Sequence, residues 1–359
     1  MSVNAEGSAA RQARRAWWPS WGAALRQALA LCFTLALTYL GLLACTFFIG
    51  RVVPVDPALA VAGDRAPEHV LQRVRQELGL DQPLWTQFSH YVGQVLQGDL
   101  GSSILTSNPV LQDLLKTFPA TFELASAGIV VGVGLGIPLG VWAAMHQGRW
   151  PDHLARLVGL LGHSIPIFWL GLMGLLLFYA QLGWVSGPGR LDVVHEFSVP
   201  RMSGLLLVDT AWAGQWEAFR NALSHLALPA SLLGFYSLAY ISRMTRSFML
   251  NELGKEYITT ARAKGLAESR VVWWHALRNA AVPLVTVVAL SYAALLEGSV
   301  LTETVFAWPG LGLYITHSLQ NGDMNAVLGG TLLVGSLFIT LNLLSDVLYR
   351  VLDPRVRAP

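Results

Sequence analysis

Six stretches of this chain are apolar for about twenty residues or more, and nothing else in the sequence restricts the fold so tightly. They lie at about 27–49, 122–145, 157–182, 223–245, 284–305 and 326–350. A hydrocarbon core needs roughly 20 apolar residues of helix to cross it, and it offers the backbone no water. Each run therefore predicts one transmembrane helix, and the chain reads as an all-α polytopic membrane protein. Composition agrees. Of 359 residues, 53% are hydrophobic and only 13% charged, too apolar for a soluble chain of this length.

Charge placement orients the spans. Most Lys and Arg, from Arg11, Arg14 and Arg15 to Arg350, Arg355 and Arg357, fall on one side if both termini lie in the cytosol. The positive-inside rule then places residues 1–26 and 351–359 in the cytosol, as two tails. Trp17, Trp18 and Trp21 would sit at the headgroups. The first run is too long for a secretory signal and lacks a small-residue cleavage site. Cys32 and Cys45 share that run, about 20 Å apart along a helix, so no disulfide joins them. No His or Cys pair has metal-ligand spacing. The formal net charge of +2 gives no reason to expect a nucleic-acid partner.

Residues 50–121 form the largest outer segment. Pro67 to Leu78 and Pro83 to Gln97 each predict a helix followed by glycine, the second with Leu84, Phe88, Tyr91, Val92 and Val95 on one face. In the second span Gly128, Gly132, Gly136 and Gly140 are four apart, which lets membrane helices approach closely. Glu123 at its outer end is expected to be interfacial. Pro166 should kink the third span beside His163 and Ser164. The fifth span carries Glu297, an expensive group at membrane depth and a candidate for the substrate path with Ser164 and Glu303.

Between the fourth and fifth runs lies a charged stretch, Asn251 to Pro283, within a cytosolic loop at 246–283. Lys255 to Lys264 predicts a short helix, and Gly265 suits the left-handed turn that ends it. A second helix should follow from Glu268, with Val271, Trp274, Leu277 and Ala281 on one stripe, and Pro283 should open the next span. The plain reading of such a loop is a topology signal. The alternative is a lever on which a soluble partner pulls.

The string E-Y-I-T-T-A-R-A-K-G-L (Glu256–Leu266), followed by H-A-L-R-N-A and a proline, resembles the coupling loop of ABC-transporter permease subunits. The Glu-Ala-Ala positions of that loop read Thr259, Thr260 and Ala261 here, as in the peptide-importer branch. Other strings resemble the B-type subunit of dipeptide permeases. They are L-G-L-D-Q-P-L-W (Leu78–Trp85), G-D-L-G (Gly98–Gly101), V-D-T-A-W-A-G (Val208–Gly214), R-M-T-R-S (Arg243–Ser247) and L-T-E-T-V-F-A-W-P-G-L-G (Leu301–Gly312). Where that family has P-G-D-P after the first span, this chain has Val55 in place of the glycine.

The resemblance implies a type I ABC importer permease fold, a five-helix core at 122–350 after the first span and outer insertion, in a bacterial inner membrane. It implies coupling to an ATPase through Glu256, Tyr257, Thr260, Ala261, Arg262, Ala263, Lys264, Gly265 and Leu266. The implied partners are a second permease, two ABC ATPase subunits holding ATP and Mg, and an extracytoplasmic peptide-binding protein, with lipid around the spans. The chain has no G-x-x-x-x-G-K-[ST] loop, so no nucleotide or other cofactor is expected on it, and it is not expected to be an enzyme. A proton-coupled transporter would need a partner for Glu297 and internal repeats. An intramembrane hydrolase would need a nucleophile facing a base, and neighbours such as His163 and Ser164 do not face each other on a helix. Glutathione or nickel-chelate permeases share the same branch.

Overall fold

The computed structural model describes residues 21–52, 63, 66–77, 79–200 and 202–352. Both predicted tails and the Pro54–Pro57 turn lie wholly or almost wholly outside these residues. The described elements are helices, apart from one isolated bridge between Ser102 and Pro109. The chain divides into two compact units, residues 1–54 and 55–359. The first holds α1 (Trp21–Val52), on which Cys32 and Cys45 are free and exposed.

In the second unit, α2 (Glu68–Glu77) and α3 (Leu84–Leu96) form the segment that precedes the long helices. Gly79 and Gly98 follow them with φ of +63° and +79°, as expected of glycine past a helix end. The predicted face of α3 is only partly right. Leu84 is exposed, and the buried residue is Gln87, whose amide donates to the carbonyls of Leu80 (3.0 Å) and Gln82 (2.7 Å). Phe88, Tyr91, Val92 and Val95 are partly buried, so the face holds except at its first residue.

The long helices are α4 (Val110–Met145), α9 (Trp216–Leu253), α11 (Glu268–Gly298) and α14 (Met324–Leu352). With α1, five helices among the described residues are long and apolar enough to cross a membrane. The third expected span is two helices, α5 (Trp150–Ser164) and α6 (Ile167–Gln181), bent by 98°. Pro166 lacks the N–H that would continue α5, so the expected kink is a full break. Counted as one, the pair makes six spans. Between α6 and α9 the short helices α7 (Val193–Glu196) and α8 (Leu206–Trp212) cross the outer loop. The remaining elements are α10 (Glu256–Ala263), α12 (Val300–Val305) and α13 (Leu311–Gln320).

Several boundaries differ from expectation, since α1 already begins at Trp21 and α9 at Trp216. Helix α4 starts at Val110, so the outer segment gives its last residues to the second span. Pro283 lies inside α11 and does not open it. It forfeits one backbone bond, a loss that packed membrane helices tolerate.

The glycine stripe packs α4 on α9. A Cβ at Gly128 would meet the Leu233 Cβ at 2.9 Å, and one at Gly140 the Ser242 carbonyl oxygen at 2.6 Å. Only a bare backbone fits. This seam adjoins the main core, where Leu124, Leu233, Leu295 and Trp308 meet.

Candidate functional site

One end of the bundle is built around α10. Lys255 is extended and begins the helix, whose short length leaves two residues facing inward, Ile258 and Ala261. They pack with Val141 and Ala144 of α4, Met249 of α9, and Val271, Val272 and Ala276 of α11. Three spans therefore share one apolar seat for α10. The opposite face presents Glu256, Thr259, Thr260, Arg262, Ala263 and Lys264 to solvent.

The expected glycine turn is present. Gly265 has φ +75°, its N–H donates to the Arg262 carbonyl (2.9 Å), and that of Leu266 donates to Ala261 (3.3 Å). Leu266 then packs against the same apolar seat. Arg262 reaches across the turn to Glu268, with nitrogen–oxygen distances of 3.1 and 2.5 Å. The Tyr257 hydroxyl donates to Glu252 (2.7 Å) and accepts from the Asn279 amide (3.0 Å), tying α10 to both flanking spans. Burial, with Glu252 beside it, pushes this hydroxyl above its ordinary pKa, so it stays a donor.

The foot of α11 departs from the expected stripe. Val271 to Ala276 is wound as a π-helix, and the buried residues are Val271, Val272, Ala276 and Ala280, while Trp274 is exposed. A π turn shifts every later side chain around the axis, so a 3.6-residue pattern could not be carried through it.

A second polar link at this end was not read from the sequence. Asp152 of α5 is fully buried and accepts from Arg246 of α9 (2.5 and 2.9 Å), Arg156 (3.2 and 2.9 Å) and the Gly148 N–H (2.9 Å). The second arginine of R-M-T-R-S was the available signal.

At the opposite end of the bundle, L-T-E-T-V-F-A-W-P-G-L-G folds into a compact turn. Glu303, expected on the substrate path, is enclosed. Its carboxylate accepts from the Thr121 and Ser299 hydroxyls (2.7 and 2.9 Å) and from the N–H groups of Gly312 and Leu313 (2.7 and 3.1 Å) at the start of α13. Its place there is that of an anchor at a helix N-terminus. Trp308 is buried and donates to the Ala120 carbonyl (2.8 Å). A Cβ on Gly312 would lie 2.5 Å from the Val300 Cα, which accounts for the last glycine of the string.

Glu123, expected at the interface, is covered by the loop between α6 and α9, buried in an ion pair with Arg190, and accepts the Leu207 N–H (2.7 Å). Asp209 of V-D-T-A-W-A-G is buried in the same loop. Burial raises its pKa, but hydrogen bonds from Ser203, Gly204 and Met202 more than offset this and hold the carboxyl below its ordinary value.

Glu297 is exposed and borders a shallow cleft with Thr121, Leu296, Leu311, Val334 and Phe338. Ser164 is exposed at the break between α5 and α6. The structure therefore separates the three residues expected on a path into one enclosed and two open groups. Among the described residues, no three His, Cys, Asp or Glu side chains are grouped to hold a metal ion.

Residues 136–358 match the family described as binding-protein-dependent transport system inner membrane component, and residues 25–125 match its N-terminal membrane component. The probable D,D-dipeptide transport system permease protein DdpB of Escherichia coli K12 is 45% identical over 90% of this chain and 95% of its own length. The dipeptide transport system permease protein DppB of the same strain is 44% identical over 89% and 95%. The di/tripeptide transport system permease protein DppB of Pseudomonas aeruginosa is 42% identical over the same shares. Among solved structures, the inward-facing methionine ABC transporter MetNI aligns at a TM-score of 0.48 with 19% identity, over 67% of this chain and 96% of that one.

Proposed function

The chain belongs to the binding-protein-dependent transport inner membrane components, and from that premise we propose that it is the permease subunit of an ATP-driven importer of dipeptides or short oligopeptides. It pairs with a second permease to enclose the path. Two ATPase subunits bind ATP and Mg on the cytosolic side, and an extracytoplasmic binding protein delivers the peptide. Both termini and the loop at 246–283 face the cytosol, and residues 58–118 face outward.

The observation that carries this reading is the seating of α10. Its inner face is locked into three spans by Ile258 and Ala261, while its outer face is free. A push on the free face is passed directly to α4, α9 and α11, as a coupling helix requires. Glu297 and Ser164 border the path, and Glu303 holds the compact turn that closes its outer end.

The test has two parts. The tagged chain is purified and the soluble and membrane proteins that accompany it are identified, with the ligand carried by any binding protein. Single cysteines at positions 262 and 90 are then labelled in intact cells with an impermeant reagent. Peptide in the binding protein and labelling at 90 alone support the proposal. Glutathione or a metal chelate in that protein would move the substrate assignment, and labelling at 262 but not at 90 would invert the topology and remove the coupling role.

A further inference from the structure

Helix α9 is buried over most of its circumference, with one exposed stripe that runs down its inner half through Tyr236, half-buried Tyr240 and Arg243. The ring of His163, beside the α5–α6 break, stacks on Tyr236 at 5.7 Å between centroids and 15° between planes. The Arg243 guanidinium lies over the Tyr240 ring, 5.5 Å from its centroid. With Ser164 these groups form a polar ladder on spans whose other open surface is mostly apolar.

A polar ladder at membrane depth is costly against lipid and belongs on water or a partner. Its charge is uncompensated. Along α5 and α6 the single acid is Asp152, which Arg156 and Arg246 already hold, and α9 carries no acid between Glu217 and Glu252. Arg243 has no acidic partner among the described residues. A lipid-anchoring arginine extends its head toward the nearer headgroups, which for Arg243 means toward the C-terminal end of α9. Here the guanidinium is held toward Tyr240, three residues on the N-terminal side.

We propose that the His163–Tyr236–Tyr240–Arg243 ladder lines the cytosolic half of the path and that Arg243 receives the C-terminal carboxylate of the peptide in transit. This inference rests on the importer reading and adds to it a recognition group for one end of the substrate. An arginine stacked on an aromatic ring keeps its N–H fork free for a carboxylate. The tyrosine hydroxyls offer further donors on the same side, one helical turn apart.

The test uses the chain reconstituted with its partner subunits and binding protein. Uptake is measured for a dipeptide and for its C-terminal amide, each first shown to bind the binding protein. Arg243→Gln should lower dipeptide uptake on the order of tenfold, as for loss of one charge-assisted hydrogen bond, and leave uptake of the amide at the wild-type level. Arg243→Lys should retain most of the activity. In a background with Cys32→Ala and Cys45→Ala, Arg243→Cys should react with a charged, water-soluble thiol reagent in inside-out vesicles, and transported peptide should slow the reaction.

Equal loss for both peptides, or no loss for either, overturns the proposal. So does a cysteine at that position that reacts only with a lipid-soluble reagent, which would assign Arg243 to phospholipid. A wild-type complex that moves neither peptide would instead overturn the importer reading, and the inference with it.

Discussion

The turn at Gly265 offers the sharpest test of the coupling loop. Its φ of +75° lies in the left-handed region, and a Cβ built there meets nothing within 4 Å. A substitution is therefore penalised by the backbone alone, with no clash inside the chain. That penalty is about 1–2 kcal/mol for an ordinary L residue, larger for a β-branched one and smaller for asparagine. Gly265→Val should cost on the order of 1–3 kcal/mol locally. The turn carries the closing bonds from Gly265 to Arg262 and from Leu266 to Ala261, so relaxing φ loosens both and shifts Arg262 from Glu268. The seat of Ile258 and Ala261 lies before the turn and should hold, so membrane insertion should survive. What should fail is presentation of α10 to the ATPase. In proteoliposomes containing the partner subunits, peptide uptake and peptide-stimulated ATPase activity should fall in the order Asn, Ala, Val at this position. A Gly265→Val complex that transports normally would refute the reasoning and return the loop to a topology signal. Equal loss for all three would show that the partner surface rejects any side chain there, whatever the backbone angle.

Three further outcomes follow from the packing. Asp152→Ala should destabilise the extracted protein by about 3–5 kcal/mol, because it strips a buried carboxylate from two arginines, and thermal unfolding in detergent would read this. Gly140→Ala should cost about 1–3 kcal/mol by overpacking against the Ser242 carbonyl, while Gly134→Ala, with nothing within 4 Å, should be neutral in the same assay. Glu303→Ala should cost at least about 2–3 kcal/mol, since it leaves two N–H groups and two hydroxyls without their shared acceptor; a thermal midpoint within a degree of wild type would deny it the anchoring role.

The spans, the glycine seam and the Gly265 turn were legible because each is a local necessity. An apolar run must satisfy its own backbone, a bare stripe every four residues has one face, and a helix that must stop needs a residue free at positive φ. The polar links were not legible because their partners are distant in the chain. Asp152 and Arg246 are 94 residues apart, and Glu303 and Thr121 are 182 apart. Read singly, neither Glu123 nor Glu303 revealed its partners. Periodicity failed for a different reason. It assumes one helical pitch, and the foot of α11 changes pitch at Val271–Ala276.

These links also limit where the molecule can move. Helix α4 is held at its outer end by the Glu303 and Glu123 networks and along its length by the glycine seam with α9. Helix α9 is pinned to α5 at its inner end by Asp152. Close-packed glycine seams and buried ion pairs yield in discrete steps, so α4, α5 and α9 form one stiff unit over the inner half. The joint left without such a link is the break at Ile165–Pro166. Motion within the bundle should therefore bend α6 against α5 at the break, next to Ser164 and His163, and leave the α4–α9 seam intact.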